Sequence, residues 1–292
     1  MKASNTWLSE LDAEHGFDAV IARIVELLPQ RDRWCVEFGA WDGKLASNSR
    51  CLIESHGYSA VLIEGDEEKF RELRKTYANR KQVFTFNQFV GFTAADGLDA
   101  ILARTPIPHD FDFLSIDIDG NDYHAWSAVA RYEPKVVCVE FNPTIPPEVA
   151  FVQPADPALN QGCSVAALVD LGRRKGYELI AVIGVNAFFV IRDVYGGFNI
   201  ADNRIESLWT SRDWVTYIFS GYDGQVFLRG RRELPWLGIP LSEPKMQAIP
   251  AWVRQYPYSR RKRILYLALT NPLSLIPKII REVKKAFRSR SR

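Results

Sequence analysis

Short apolar runs recur along the first two thirds of this chain, and helix-like segments separate most of them. The runs are Trp34–Phe38, Ser59–Ile63, Val83–Phe86, Phe111–Ile116 and Val136–Phe141. Apolar runs of this length, without alternation, read as strands buried on both faces. Between them, Ala46–Ser55, Glu67–Tyr77, Leu98–Ala103 and Tyr123–Val129 read as helices. Ahead of them, Phe17–Leu28 carries Ile21, Ile24, Val25 and Leu28 on one face, as a helix covering a sheet does. Such alternation predicts an α/β fold, doubly wound around a mostly parallel sheet. The last two runs, Tyr177–Ile183 and Ala187–Ile191, are separated only by Gly184-Val185-Asn186, a hairpin signal. Seven strands are therefore expected, the last two as an antiparallel terminal hairpin.

In open α/β sheets, ligands bind outside the carboxyl ends of the strands. The residues that follow each run are thus the candidates. Trp34 to Gly43 reads W-C-V-E-F-G-A-W-D-G. Glycine there lets backbone approach a ligand closely. The spacing is neither G-x-G-x-x-G nor a G-K-[ST] phosphate loop. Acidic Glu37 and Asp42 beside Gly39 and Gly43 repel phosphates but suit a ligand with ammonium and hydroxyl groups, such as S-adenosylmethionine (SAM). An ordinary strand–turn–helix junction has the same look. The second run ends in Glu64-Gly65-Asp66, 25 residues after Gly39. A carboxylate at that point can accept from both ribose hydroxyls, so Glu64 is the expected ribose ligand and Asp66 the cap of the next helix. Asn87, after the third run, is a candidate adenine-side contact. On this reading Gly39→Arg removes cofactor binding and leaves the domain folded.

The fourth and fifth runs end in S-I-D-I-D-G-N-D-Y and V-E-F-N-P. Asp117, Glu140 and Asn142 are expected together at the mouth of the sheet, as oxygen ligands for Mg²⁺ or another divalent cation. Asp119 and Asp122 equally suit a turn and a helix N-terminus. Asp117 interrupts an apolar strand and fits that bland role poorly. His124 is a candidate general base, as the residue type that ordinarily serves in proton transfer.

In order, V-E-F-G-A-W-D-G, L-I-E-G-D, S-I-D-I-D-G-N-D-Y and V-E-F-N-P resemble the class I SAM-dependent methyltransferases, most of all their FkbM-like branch, over residues 30–192. The resemblance implies a Rossmann-like methyltransferase fold, SAM as cofactor, and O-methylation of a carbohydrate, glycoconjugate or small-molecule hydroxyl. The last two motifs are also similar to caffeoyl-CoA and catechol O-methyltransferases, where an Asp after strand four and an Asp-Asn pair after strand five hold a metal. That pattern carries over to Asp117 and Asn142. Phe141 stands in place of the second Asp, with Glu140 as the substitute on Asn142's strand face, and Gly120 stands in place of the catalytic lysine. Two rivals remain. Asp117-Ile118-Asp119 also resembles the D-x-D metal motif of nucleotide-sugar glycosyltransferases. A non-catalytic, membrane-associated scaffold retaining the fold is the other.

The expected organisation is a helical lead-in (1–30), the SAM-binding domain (31–195), an aromatic-rich accessory region (196–258) and a basic amphipathic tail (259–292). Pro143 to Gln161 holds five prolines and reads either as a substrate lid or as a plain surface excursion. Trp209, Trp214, Tyr217, Phe219, Tyr222 and Phe227 form either a sugar-stacking wall or a small packed subdomain. From Arg260 onward the chain has eleven Lys or Arg and one acid, against 26 basic and 34 acidic residues before it. An acidic body with a basic tail points to an anionic membrane surface as partner for the tail, and not to nucleic acid. The four cysteines lack metal-ligand spacing. With no apolar run long enough to span a bilayer and a polar start to the chain, a cytoplasmic protein, peripheral on the inner membrane, is expected.

Overall fold

A computed structural model describes residues 16–277 and residue 280. The described residues form two compact units that divide between Arg212 and Asp213. Parts of the expected lead-in and tail, residues 1–15, 278, 279 and 281–292, lie outside the described residues.

The first unit is built on seven strands: β1 (Trp34–Phe38), β2 (Ser59–Glu64), β3 (Val83–Asn87), β4 (Phe113–Ile116), β5 (Val136–Glu140), β6 (Tyr177–Ile183) and β7 (Asn186–Ile191). Their order is β3-β2-β1-β4-β5-β7-β6. β1 to β5 run parallel, and β7 is antiparallel to both β5 and β6. This is the doubly wound sheet with a terminal hairpin that the apolar runs predict. The chain winds outward from β1 in one direction, then restarts at β4 on the other side. The crevice between the carboxyl ends of β1 and β4 is therefore the topological switch point.

The helices are α1 (Gly16–Glu26), α2 (Arg50–Ser55), α3 (Glu67–Thr76), α4 (Leu98–Leu102), α5 (Asp122–Ala128) and α6 (Val165–Arg174). Val20, Ile21, Ile24 and Val25 of α1 join Cys35, Ala60, Phe113, Cys138 and Phe188 in one buried cluster. α3 starts where expected: the Asp66 carboxylate accepts from the amides of Glu68 and Lys69, acids fill its first turn and cations its last. α2 begins four residues later than expected, because residues 46–49 fold around Glu37 instead of into a helix. The sequence reading contains no α6. Ser164 caps it, accepting from the Ala167 amide, and Gly172 lets it close on Phe189 and Trp126, where a Cβ would come within 3.0–3.1 Å.

The second unit holds two antiparallel ribbons, β8 (Thr216–Ser220) with β9 (Val226–Gly230) and β10 (Glu233–Leu234) with β11 (Ile239–Pro240), and helix α7 (Arg260–Thr270). Trp209 belongs to the first unit, buried edge-on against Phe141. Among the described residues no helix is long and apolar enough to cross a membrane. The cysteines are free, and burial pushes the Cys35, Cys138 and Cys163 thiols well above their usual range.

Candidate active site at the switch point

Gly39 ends β1 with φ +80°, and a Cβ there would overlap the backbone carbonyl of Asp117 at the end of β4. Its amide donates to the Ile63 carbonyl. Gly39 is therefore required first by the meeting of three strand ends. This corrects the expectation that Gly39→Arg spares the fold.

The loop after Gly39 is strained. Trp41 (φ 47°), Gly43 (φ 73°) and Ala46 (φ 53°) are also left-handed, a conformation uncommon in non-glycine residues and an outlier for a bulky side chain. Glu37 holds this loop from inside. It is 2% exposed and accepts from the hydroxyls of Ser47 and Ser49 and from the amide of Asn48, at 2.6–2.7 Å. Burial raises its pKa and these bonds oppose the rise. The Asn48 side chain in turn donates to the Ser115 hydroxyl of β4. Glu37 thus shapes the loop and has no free face for a cofactor. Gly43 is a second correction. A Cβ there would meet Leu73 and Tyr77 of α3. Its amide donates to Ala40 and its carbonyl accepts from the Tyr77 hydroxyl, so Gly43 serves packing. Asp42 accepts from the amides of Lys44 and Leu45 through Oδ1, and these bonds, Leu45's first, lower its pKa.

Glu64 ends β2, nearly buried. Oε2 accepts from the amide of Trp41 at 2.8 Å and Oε1 from that of Asp66 at 2.7 Å. Each oxygen keeps a further lone pair. Asn87, paired with Glu64 across β3, donates Nδ2 to the carbonyls of Glu64 and Gly65. The exposed ring of Phe89 lies against Gly65.

Across the switch point, carboxylate oxygens of Asp117, Asp119 and Glu140 lie within 4.8 Å of one another. Asp119 is turned outward at φ 58°. The buried Asp122 makes that turn, accepting from the amides of Ile118 and Gly120 at 2.9 Å. Burial, then the neighbouring acids, pushes the pKa values of both Asp117 and Glu140 up.

Asn142 does not join this group by its side chain. Its Oδ1 accepts from the amide and hydroxyl of Thr144, and its Nδ2 donates to the Gln161 carbonyl. Asp119 is the third carboxylate beside Asp117 and Glu140. No ring nitrogen of His124 lies in the cluster either. Its Nε2 is 2.8 Å from the Gln153 carbonyl. A carbonyl only accepts, so Nε2 carries the proton and Nδ1 of the neutral ring is the acceptor.

The proline-rich loop is pinned beside the acidic turn. Gln153, buried, accepts from the amides of Gln161 and Gly162 and donates to the Leu159 carbonyl. Asn160 donates to the Asp119 carbonyl and Asn121 to the Asp156 carbonyl. Gly120 packs under the loop, where a Cβ would stand 3.0 Å from the Leu159 carbonyl. The loop is a built wall with its own hydrogen bonds. Nothing in the sequence marks Gln153 as its centre, since a lone amide among prolines carries no pattern.

No protein-family model matches the sequence, and no curated protein matches it. Solved structures are similar at low identity. The N-terminal domain of EvdMO1 with SAH bound is 13% identical with a TM-score of 0.40, over 61% of this chain and 79% of that one. A SAM-dependent methyltransferase from Aquifex aeolicus is 12% identical with a TM-score of 0.35, over 64% and 96%. M. capricolum TrmK in complex with SAH is 11% identical with a TM-score of 0.35, over 59% and 66%. At these values the likeness carries no argument of its own, and the fold rests on the strand order and directions described above.

Proposed function

We propose that this chain is a SAM-dependent O-methyltransferase whose acceptor is a hydroxyl on a carbohydrate or glycoconjugate. The observation that carries the reading is Glu64, a carboxylate at the end of β2 that grips the β1 loop through the Trp41 amide. It stands at the strand end where a ribose diol is held in this kind of sheet. The carbohydrate acceptor rests on the FkbM-like resemblance of the motifs.

SAM, when bound, supplies an electrophilic methyl group; its transfer to oxygen leaves the thioether product and frees the hydroxyl proton. The chain's part is to hold, orient and deprotonate. Glu64 takes the ribose, Asn87 the adenine side, and Asp42 borders the methionine end. Asp117 and Glu140 face the acceptor hydroxyl, and a carboxylate of that pair or Nδ1 of His124 receives the proton. A divalent cation fits Asp117, Asp119 and Glu140: three carboxylates are crowded together, and burial followed by the neighbouring negative charge raises the pKa values of Asp117 and Glu140. Held there, it would lower the acceptor's pKa. The same cluster unites both acids of Asp117-Ile118-Asp119, which favours the glycosyltransferase reading as the second choice.

Glu64→Gln should weaken SAM about 10–150-fold, as expected for losing hydrogen bonds worth about 1.5–3 kcal/mol to a charged group. Titration calorimetry measures this, and unchanged affinity in a folded variant removes Glu64 from the site. Mn²⁺ binding, followed by electron paramagnetic resonance, should be saturable in the full chain and lost in Asp119→Asn, while Asn142→Ala binds as wild type. Loss in Asn142→Ala alone would restore the ligand set expected from the sequence. Transfer of a labelled methyl from SAM to host glycans tests the acceptor class.

A further inference from the structure

The second unit exposes large apolar side chains where loops are ordinarily polar. The β10–β11 hairpin turns through Pro235-Trp236-Leu237-Gly238, its turn closed by the Gly238 amide on the Leu234 carbonyl. Trp236 is 62% and Leu237 69% exposed, and both flanking residues, Leu234 and Ile239, are exposed too. At the β8–β9 turn Tyr222 is 93% exposed, its ring 5.7 Å from that of the exposed Tyr256. These residues sit at turns, and Trp236 stays 62% exposed although one side of its ring meets Trp214 at 6.1 Å. A protruding apolar wedge suits a fluid layer, and Trp and Tyr favour the headgroup level of a bilayer.

Charge says which layer. Residues 213–292 hold sixteen Lys or Arg against five Asp or Glu, while residues 1–212 hold 21 against 30. Arg232, beside the hairpin, is exposed and without an ion pair among the described residues. Arg260, Arg261, Lys262 and Arg263 fill the first turn of α7, all exposed. Free amide protons make a helix N-terminus a poor place for cations. Four in succession there do not serve the helix, but they suit an external anionic surface.

The geometry points to the second unit as a docking module for anionic lipid bilayers. The Trp236–Leu237 tip enters the headgroup layer, and Arg232 with the α7 cations meets lipid phosphates. This inference is independent of the methyltransferase reading. It also moves the apolar contact from the basic tail alone to a hairpin before it.

Cosedimentation of the full chain with phosphatidylglycerol–phosphatidylcholine vesicles tests it, with phosphatidylcholine vesicles as control. The chain should bind the anionic vesicles at low salt, ignore the neutral ones, and be released as salt rises. Trp236→Ser with Leu237→Ser should lower the partition constant at least about tenfold while the chain stays folded by circular dichroism, although the Trp214 contact is lost. Arg260→Gln, Arg261→Gln, Lys262→Gln and Arg263→Gln together should lower it at least about a hundredfold, since each cation near such a surface is worth about fivefold. No binding at low salt overturns the inference. So does wild-type binding by the hairpin variant. A concentration-dependent dimer that the hairpin variant dissolves also overturns it, by assigning the tip to a second copy of the chain.

Discussion

Gly39→Ala should destabilise the sheet-bearing unit by about 2–5 kcal/mol. A left-handed alanine costs about 1–2 kcal/mol, and forcing a methyl group into packed structure costs about 1–3 kcal/mol more. Here the overlapped atom is the Asp117 carbonyl, which is backbone and sits at a strand end. Neither β1 nor β4 can retreat without opening the switch point. Gly57→Ala is the control: its φ is +69° and nothing lies within 4 Å of an added Cβ, so it should show the conformational cost alone. Urea denaturation followed by circular dichroism compares the two. Equal losses would mean that Gly39 is kept for its conformation and not for the approach of Asp117.

Lys135→Met should cost about 3–5 kcal/mol, the range for breaking a buried ion pair from one side. Lys135, 13% exposed, lies 2.8 Å from Asp112 Oδ1 and 2.9 Å from Asp32 Oδ2. Asp112 is fully buried and also accepts from the amides of Asp32 and Arg33. Losing the ammonium strands that carboxylate without its counter-charge at the amino end of the sheet. Lys135→Met combined with Asp112→Asn should therefore cost less than the two single losses added together. The sign with pH follows from the lysine. Burial pulls its pKa down, but the hydrogen bonds to Asp112 and Asp32 more than offset this, so the net shift is upward. Its contribution is fully present below the ordinary lysine pKa and is lost as pH rises through the raised value. Additive losses in the double variant would deny the coupling.

The strands were legible because most of their residues are apolar and, β3 excepted, buried, and because β1, β2, β4 and β5 each end at a glycine or an acid. Asp66 was legible for the same reason, since the strand end places the cap of the helix that follows. The rest depended on partners far along the chain. Gly43 looked like a ligand glycine, but Leu73 and Tyr77 fill the space beside it. Glu37 looked like a cofactor acid, but Ser47, Asn48 and Ser49 enclose it. Asn142 looked like a metal ligand, but Thr144 takes its oxygen and Gln161 its amide protons. Asp119 lies beside Asp117 and Glu140 because Asp122 holds the turn, accepting from the amides of Ile118 and Gly120. α6 carries a Ser164 cap and buried Val165, Leu168, Val169 and Leu171, local signals that the proline-rich run just before it overshadows. The charge triad of Asp32, Asp112 and Lys135 joins positions 80 and 103 residues apart, a distance no local pattern reports.

Calorimetric titration of the full chain with SAM, and in parallel with a uridine-diphosphate sugar, tests the central claim most directly. One saturable site for SAM, weakened in Glu64→Gln and absent for the nucleotide sugar, is the expected result. Binding of the uridine-diphosphate sugar in a Mn²⁺-dependent manner, with no heat from SAM, would contradict it.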